Sequence, residues 1–204
     1  MASWSRWTAN RSAGKLVLTL GPWACAAFEG LGLPLKPRRI PVVCFDTQRP
    51  EAFDREGFAV CFRAAPEGIF AGKPHLDHLG AMLLRHDDAD AATHESARRV
   101  VTDADLAEVR GFAARRIPGP GGRIRSSFTC TYTMTPENHF IDDRHCDMPD
   151  ALIATGFSGH GLEFAPVIGE ALADLALDGQ TALAVGFLRA DRFVRAPLAP
   201  GQSV

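Results

Sequence analysis

Long apolar runs are missing from this 204-residue sequence, so a membrane-spanning helix, which needs about 20 consecutive apolar residues, is not expected. Neither sign of charge is in excess: 24 acidic and 22 basic residues give a formal net charge of −2. We therefore expect no binding to nucleic acid or to a membrane surface. The basic residues Arg6, Arg11 and Lys15 precede only a short apolar run at 16–20, which is too short for a secretory signal.

Paired cysteines are also missing. The five cysteines are odd in number, and no two of them have the C-x-x-C spacing of a zinc site: Cys25, Cys44, Cys61, Cys130 and Cys146. A disulfide framework is not expected, and the sequence predicts a cytoplasmic protein without a metal site.

Two glycine motifs are missing as well. No G-x-G-x-x-G follows a predicted strand, so the sequence shows no dinucleotide-binding turn. The glycines at 119–122 follow a predicted helix and are interrupted by proline. A hydrolase's nucleophile elbow is not expected either, because His160 occupies the position where Gly-x-Ser-x-Gly requires its second glycine.

What is present is typical of a soluble globular protein, with 46% apolar and 23% charged residues in one domain or two small ones. Thr102-x-x-Asp105 predicts the capped start of a helix, and Asp178-Gly179 the end of another. Turn residues between the strands from 41 to 85 predict a meandering antiparallel sheet. The predicted strands are 15–20, 41–45, 58–62, 68–72, 81–85, 126–133, 140–142 and 151–155, and the acidic segment 86–92 is predicted to be a loop.

The most informative segment is Gly-Phe-Ser-Gly-His-Gly at 156–161, between an apolar strand and an amphipathic helix. A glycine-rich turn that leads into a helix N-terminus directs backbone N–H groups and the helix dipole towards an electron-rich group. The same pattern also suits a tight turn without a ligand. The helix stripe predicts burial of Phe164, Val167, Ile168, Ala171, Leu172, Leu175 and Ala176, with Pro166 in the first turn. We expect this helix, 161–177, to pack on the strands around Leu16 and Leu152.

Three further features leave alternatives open. Cys130, on an alternating strand, is either a small buried hydrophobe or a thiol that contacts a cofactor. His86 is either a catalytic base or a loop histidine. The segment 139–146 contains metal-ligand residue types, but strand alternation separates Asp142 from Asp143, so we predict a strand and a solvated turn.

Cys-Thr-Tyr-Thr-Met-Thr-Pro-Glu-Asn-His-Phe-Ile-Asp at 130–142 and Ala-Thr-Gly-Phe-Ser-Gly-His-Gly at 154–161 resemble the monomeric sarcosine oxidase and N-methyltryptophan oxidase family. These proteins are FAD-dependent amine oxidases of the D-amino-acid-oxidase-like group. The resemblance extends more weakly over nearly the whole chain. It implies an oxidoreductase that acts on the C–N bond of a secondary amine or N-methyl amino acid.

The resemblance also implies an α+β (mixed α/β) layout. Residues 1–37 would be the tail of an FAD-binding domain, 38–125 an antiparallel-sheet substrate domain, and 126–204 the return to the FAD-binding domain. The N-terminal dinucleotide-binding βαβ unit would be lacking, so a companion chain or an upstream segment would have to supply it. Its absence would leave an open apolar surface near Val17, Leu18 and Ile153. The alternative is a catalytically inactive remnant, or a binding module, that retains the fold without flavin.

Site roles follow from the same resemblance. Cys130 would bind FAD covalently if the missing half is supplied, and catalytic roles fall to His86, Tyr132 and His160. The cofactor-binding turn would comprise Gly156, Phe157, Ser158, Gly159, His160 and Gly161.

Three positions depart from the family pattern. Glu163 replaces a lysine that helps to bind the substrate carboxylate, and Met82 replaces the lysine that activates O₂. Ala71 replaces a tyrosine. We therefore expect Glu163 and Met82, at substrate-binding positions, to disfavour small amino acids such as sarcosine and to slow reoxidation by O₂.

Overall fold

The computed structural model describes residues 13–47, 49–75, 80–87, 90–91, 100–117 and 120–193. None of the described helices is long and apolar enough to cross a membrane. The α-helices are α1 (Ala24–Ala27), α2 (Asp103–Arg116) and α3 (Gly161–Leu177). The strands are β1 (Leu16–Leu18), β2 (Lys36–Thr47), β3 (Cys61–Ala65), β4 (Gly68–Lys73), β5 (Ala81–Arg85), β6 (Asp90–Ala91), β7 (Pro120–Met134), β8 (Ile141–His145) and β9 (Met148–Thr155).

The larger sheet is antiparallel, in the order β3-β4-β5-β2-β6, and β7 also pairs with β2. The antiparallel sheet predicted between 41 and 85 is confirmed, but only β3, β4 and β5 follow one another as a meander, because β2 pairs with β5 rather than with β3. The loop predicted for residues 86–92 is wrong at Asp90–Ala91, because this dipeptide pairs with Arg38 and Arg39 of β2.

Helix α2 covers one face of the larger sheet. It begins with the predicted capping box, in which Thr102 Oγ1 accepts from the Asp105 N–H and the Asp105 carboxylate accepts from the Thr102 N–H. Its buried side, which includes Phe112, packs on Val43, Phe45 and Leu83, and the Phe112 ring stacks on Phe70 with centroids 3.8 Å apart. The opposite face of this sheet is therefore the one available to a site.

The smaller sheet has the order β1-β9-β8, with β1 parallel and β8 antiparallel to β9. Helix α3 packs Ile168 and Leu172 on Leu152, as predicted. The predicted packing of α3 on Leu16 is wrong, because Leu16 is 46% exposed. Of the residues that we expected on an open apolar surface, Val17 is 44% exposed, whereas Ile153 is buried against the opposite layer that contains Phe28.

The first half of α3 departs from the predicted stripe. Phe164 and Val167 are exposed, whereas Ile168, Ala171 and Leu172 are buried as predicted. Pro166 lies in the second helical turn, because the helix begins at Gly161; at this position proline removes one intrahelical hydrogen bond.

Both predicted domain limits fall near or within strands. The limit at 37/38 lies within β2 and the limit at 125/126 within β7, two strands that pair with one another. The limits stay predictions.

Strand β8 places Asp142 and Asp143 on opposite sides of the sheet, as alternation predicted. Asp143 accepts from the Ala190 N–H at 2.8 Å. Asp142 is 3% exposed, and neither carboxylate oxygen has a hydrogen-bond partner among the described residues. Burial, and then the negative charge of Asp143, raise the pKa of Asp142 to about 6.

Candidate functional site

The glycine-rich turn joins the end of β9 to the start of α3 through a backbone that glycine permits. Gly156 and Gly159 have φ values of +69° and +86°, and Ser158 also lies in the left-handed region. A Cβ on Gly159 would stand 2.4 Å from Cε2 of Tyr132, so residue 159 is restricted both by conformation and by contact.

Hydrogen bonds hold this turn against β7. The Ser158 N–H donates to the Thr133 carbonyl at 2.9 Å, and the Thr135 N–H donates to Ser158 Oγ at 3.3 Å. Ser158 is buried, and its hydroxyl donates to the Gly156 carbonyl at 3.0 Å. His160 Nδ1 lies 3.1 Å from the Ser158 carbonyl rather than from its hydroxyl. The Ser158 side chain therefore stabilises the turn.

A cavity of about 540 Å³ lies over the turn and the first half of α3. This volume is within the range of ligand pockets. No side chain caps the start of α3, so its first backbone N–H groups remain available to an electron-rich group. Two glycines in the wall, Gly21 and Gly169, have open space where a Cβ would stand. The other walls include Thr19, Thr131, Thr133, Phe157 and Leu162.

The open face of the larger sheet brings several predicted residues together. Met82, Cys130 and Tyr132 pack there against a buried cluster of Ile40, Val42, Ala71 and Leu84. Tyr132 also lines the 540 Å³ cavity, whereas Cys130 does not. Tyr132 is thus the residue at which the sheet face and the glycine-rich turn meet.

Tyr132 and His86 form a pair at this junction. The Tyr132 hydroxyl lies 3.3 Å from His86 Nδ1. Burial, followed by the charges of Cys130 and Glu163, raises the pKa of Tyr132 to about 12, so the hydroxyl keeps its proton. Burial, and then the charge of His160, lower the pKa of His86. A neutral His86 can therefore accept the tyrosine hydrogen bond.

Glu163 and His160 act on this pair through their charges. Glu163 raises the pKa of both Tyr132 and His86, whereas His160 lowers that of His86. Of the residues predicted as catalytic, Tyr132 and His86 are in direct contact, and the charges of His160 and Glu163 reach this pair.

Burial favours the neutral thiol of Cys130 over the thiolate. Burial raises its pKa, and the positive charge of Lys73 opposes this effect. Lys73 pairs directly with Met82 across β4 and β5, so both side chains lie on the same face of the sheet.

Sequence reasoning missed several residues around the pair. The Phe62 ring meets His86 edge-on at 5.0 Å, and Lys36, Arg38 and Asn138 line a second pocket next to Tyr132. Strand alternation along 36–40 would have placed Lys36 and Arg38 on the face of Ile40, but their pairing with β7 is not visible in the sequence.

The ligand-type cluster at 139–146 forms the predicted strand and turn. In the turn after β8, ligand atoms of His145, Cys146 and Asp147 lie within 4.8 Å of one another. Cys146 and Asp147 are exposed, and the Asp147 N–H donates to His145 Nδ1.

Comparison with known proteins decides the family. The family described as FAD dependent oxidoreductase (DAO) matches residues 4–175. The chain belongs to this family. A monomeric sarcosine oxidase from Streptomyces avermitilis is 35% identical over 191 residues, which cover 91% of this chain and 50% of that protein. An N-methyl-L-tryptophan oxidase from Salmonella heidelberg is 29% identical, covering 89% and 48%. This family member therefore spans about half the length of the curated relatives that it matches.

Solved structures agree on the fold. The L-proline dehydrogenase from P. horikoshii superimposes with a TM-score of 0.71 at 24% identity, covering 89% of this chain and 47% of that one. The glycine oxidase from Geobacillus kaustophilus gives a TM-score of 0.69 at 19% identity, covering 89% and 46%. At these identities the likeness is one of fold alone.

Proposed function

We propose that this chain is the substrate-side portion of an FAD-dependent enzyme that oxidises the C–N bond of a secondary amine or N-methyl amino acid. The observation that carries the proposal is the contact between the Tyr132 ring and Gly159. It joins the sheet face of Met82 and Cys130 to a glycine-rich turn beneath a cavity of ligand size.

The residues around the cavity fit an isoalloxazine ring. The open space at Gly21 and Gly169 suits a flat group that approaches the backbone closely. The start of α3 offers N–H groups and a favourable dipole to the electron-rich pyrimidine edge. Cys130, on the adjoining sheet face, is the proposed point of covalent attachment. When bound, FAD supplies the acceptor for the two electrons removed from the amine.

The Tyr132–His86 pair has the geometry of a proton relay. An amine must lose its extra proton before it can give up hydride. The Tyr132 oxygen can take that proton while its own passes to His86 Nδ1, 3.3 Å away. Glu163 favours this transfer, because its negative charge stabilises protonated His86. The same charge attracts an ammonium group and repels a carboxylate.

A dinucleotide-binding half, on a companion chain or in a preceding segment, completes the proposed enzyme. The chain covers only about half of its relatives. Three apolar side chains on β1 and α3 are exposed: Leu16, Val17 and Leu162 are 46%, 44% and 83% accessible. Leu16 and Val17 point to opposite sides of β1, so a unit that packs here would cover both sides of this strand.

The proposal is tested by co-expressing the chain with the part of the Streptomyces avermitilis relative that it does not match. We expect a yellow complex that oxidises N-methyl amines, and a colourless protein when the chain is expressed alone. A complex that forms but stays colourless would favour the alternative, a binding module that retains the fold without flavin.

A further inference from the structure

A further cavity, of about 700 Å³, runs along β8, at the end of the smaller sheet as described. Its walls come mainly from β8 and the turn after it, from the end of α3, and from the segment 181–191. None of its described walls is shared with the 540 Å³ cavity over the glycine-rich turn. A volume of this size is typical of a pocket that holds a whole small molecule.

Asp142 lies in the wall of this cavity. The residue is only 3% exposed, and neither of its carboxylate oxygens has a hydrogen-bond partner among the described residues. Burial and the charge of Asp143 raise its pKa only to about 6, so most Asp142 carboxyls are ionised at pH 7.5. Because a buried carboxylate without a partner is unfavourable, the wall favours a positively charged ligand.

The two arginines in the wall have other partners. Arg144 lies on the same side of β8 as Asp142, but its guanidinium donates to the Leu175 carbonyl at 2.9 Å. Arg189 pairs with Asp191 at 2.8 Å. Neither guanidinium is within hydrogen-bonding distance of the Asp142 carboxylate. The charge of Asp142 is therefore open to a cation that enters the cavity.

A single available carboxylate does not suit a divalent metal ion. Asp143, the second carboxylate of β8, faces the opposite side of the sheet. Its two oxygens accept from the Arg144 N–H and from the Ala190 N–H, both at 2.8 Å. Calcium and magnesium ions take six or more oxygen ligands, which one free carboxylate does not supply. An organic cation needs no such set of ligands.

The surroundings of Asp142 are apolar on its side of the sheet. Asp142 is paired with Ala154, which packs in one buried cluster with Leu175 and Val185. Leu175 and Val185 also line the cavity. An alkyl group gains free energy by contact with such a surface, whereas a hydrated inorganic ion does not.

We propose that this cavity binds a small alkylammonium ion, whose nitrogen donates to the Asp142 carboxylate and whose alkyl group packs on Leu175 and Val185. The ammonium group supplies charge-assisted hydrogen bonds to oxygens that lack a donor. The site is separate from the cavity over the glycine-rich turn, so the inference does not rest on the proposed function.

Isothermal titration calorimetry of the flavin-free chain at pH 7.5 tests the site with butylammonium, methylammonium and the neutral 1-butanol. We expect saturable binding of butylammonium. Its dissociation constant should be at least about tenfold lower than that of 1-butanol, which cannot make a charge-assisted hydrogen bond. It should also be at least about tenfold lower than that of methylammonium, which has three fewer carbons to bury.

Matched variants locate the binding. Asp142→Asn keeps the shape of the side chain, and it should raise the butylammonium dissociation constant at least about tenfold. Asp150→Asn removes an exposed carboxylate that pairs with Lys15, and it should change nothing. No saturable binding, equal constants for butylammonium and 1-butanol, or equal effects of the two variants would overturn the inference. The comparison of the probes in the unchanged protein needs no variant.

A lysine of a partner protein would present the same ammonium group. Nα-acetyl-lysine amide, titrated in the same way, models such a side chain. We expect it to bind more weakly than butylammonium, because the cavity has the volume for a whole small molecule. Tighter binding of the lysine model would overturn the inference and assign the cavity to a protein partner.

Discussion

The Tyr132 ring lies so close to Gly159 that a Cβ on residue 159 would come within 2.4 Å of the ring. This contact joins the two halves of the site, since Tyr132 belongs to the larger sheet and Gly159 to the turn after the smaller one. The position of the turn over the sheet therefore depends on a residue without a side chain.

Gly159→Ala should destabilise the protein by about 1–3 kcal/mol, because alanine is strained at φ +86° and collides with Tyr132. Gly169→Ala is the matched control. It lies inside α3 with no atom within 4 Å of its Cβ position, so it should stabilise by about 0.5–1 kcal/mol. Urea unfolding measures both changes. If both variants change the free energy of unfolding in the same direction, the contact between Gly159 and Tyr132 is contradicted.

Asp142 should make stability fall as the pH rises. Its pKa is about 6 in the folded protein, against 3.8 for an ordinary aspartate, so the folded state binds the proton more tightly. The unfolding free energy should therefore decrease between about pH 4 and pH 6, by about 3 kcal/mol in total.

Asp142→Leu should remove this decrease and stabilise the protein at pH 7, because it replaces a buried carboxylate without a partner. Asp150→Asn, at an exposed ion pair, serves as the control and should leave the pH profile in place. If Asp142→Leu follows the same pH dependence as the unchanged protein, Asp142 is not the group responsible.

Glu163→Gln should lower the pKa of His86, because the negative charge of Glu163 favours the protonated imidazole. The titration of the His86 ring protons by NMR measures the change. Glu170→Gln, an exposed position on the same helix, should leave the His86 titration unchanged. An equal response in both variants would mean that Glu163 does not act on the Tyr132–His86 pair.

Reversing the two departures from the family pattern should improve the completed enzyme. Glu163→Lys should strengthen sarcosine binding by a few kcal/mol at most, since it replaces a charge that repels the carboxylate of sarcosine with one that attracts it. Met82→Lys should speed reoxidation by O₂. In the protein that keeps Met82, artificial electron acceptors should outperform O₂. Steady-state turnover with O₂ and with a dye acceptor separates the two effects. If neither variant improves its own step, the roles assigned to these positions are wrong.

Local patterns predicted most of the fold because their causes are local. The Thr102–Asp105 capping box and the alternation along β8 depend on neighbours in sequence, and both form as predicted. The errors concern distant packing. Ile153 is buried because α1 and its flanking turns cover it, whereas Phe164, whose ring meets Phe140 edge-on, remains 46% exposed.

In the candidate site, too, the residues in short motifs were predicted and those that depend on distant strand pairing were missed. The resemblance selected Cys130, Tyr132, His86 and the turn at 156–161, and the fold brings Tyr132, His86 and the turn together. The basic wall of Lys36 and Arg38 was missed, because it depends on the register between β2 and β7. No short motif encodes that register.

The mass of the Cys130 peptide from the completed enzyme tests the central claim most directly. After co-expression with a dinucleotide-binding half, we predict that this peptide carries a flavin and that the denatured protein stays yellow. Cys130→Ser should lose the retained colour, whereas Cys61→Ser, a strand cysteine of similar partial exposure, should keep it. An unmodified Cys130 peptide in a complex that binds FAD and turns over amines would contradict the account.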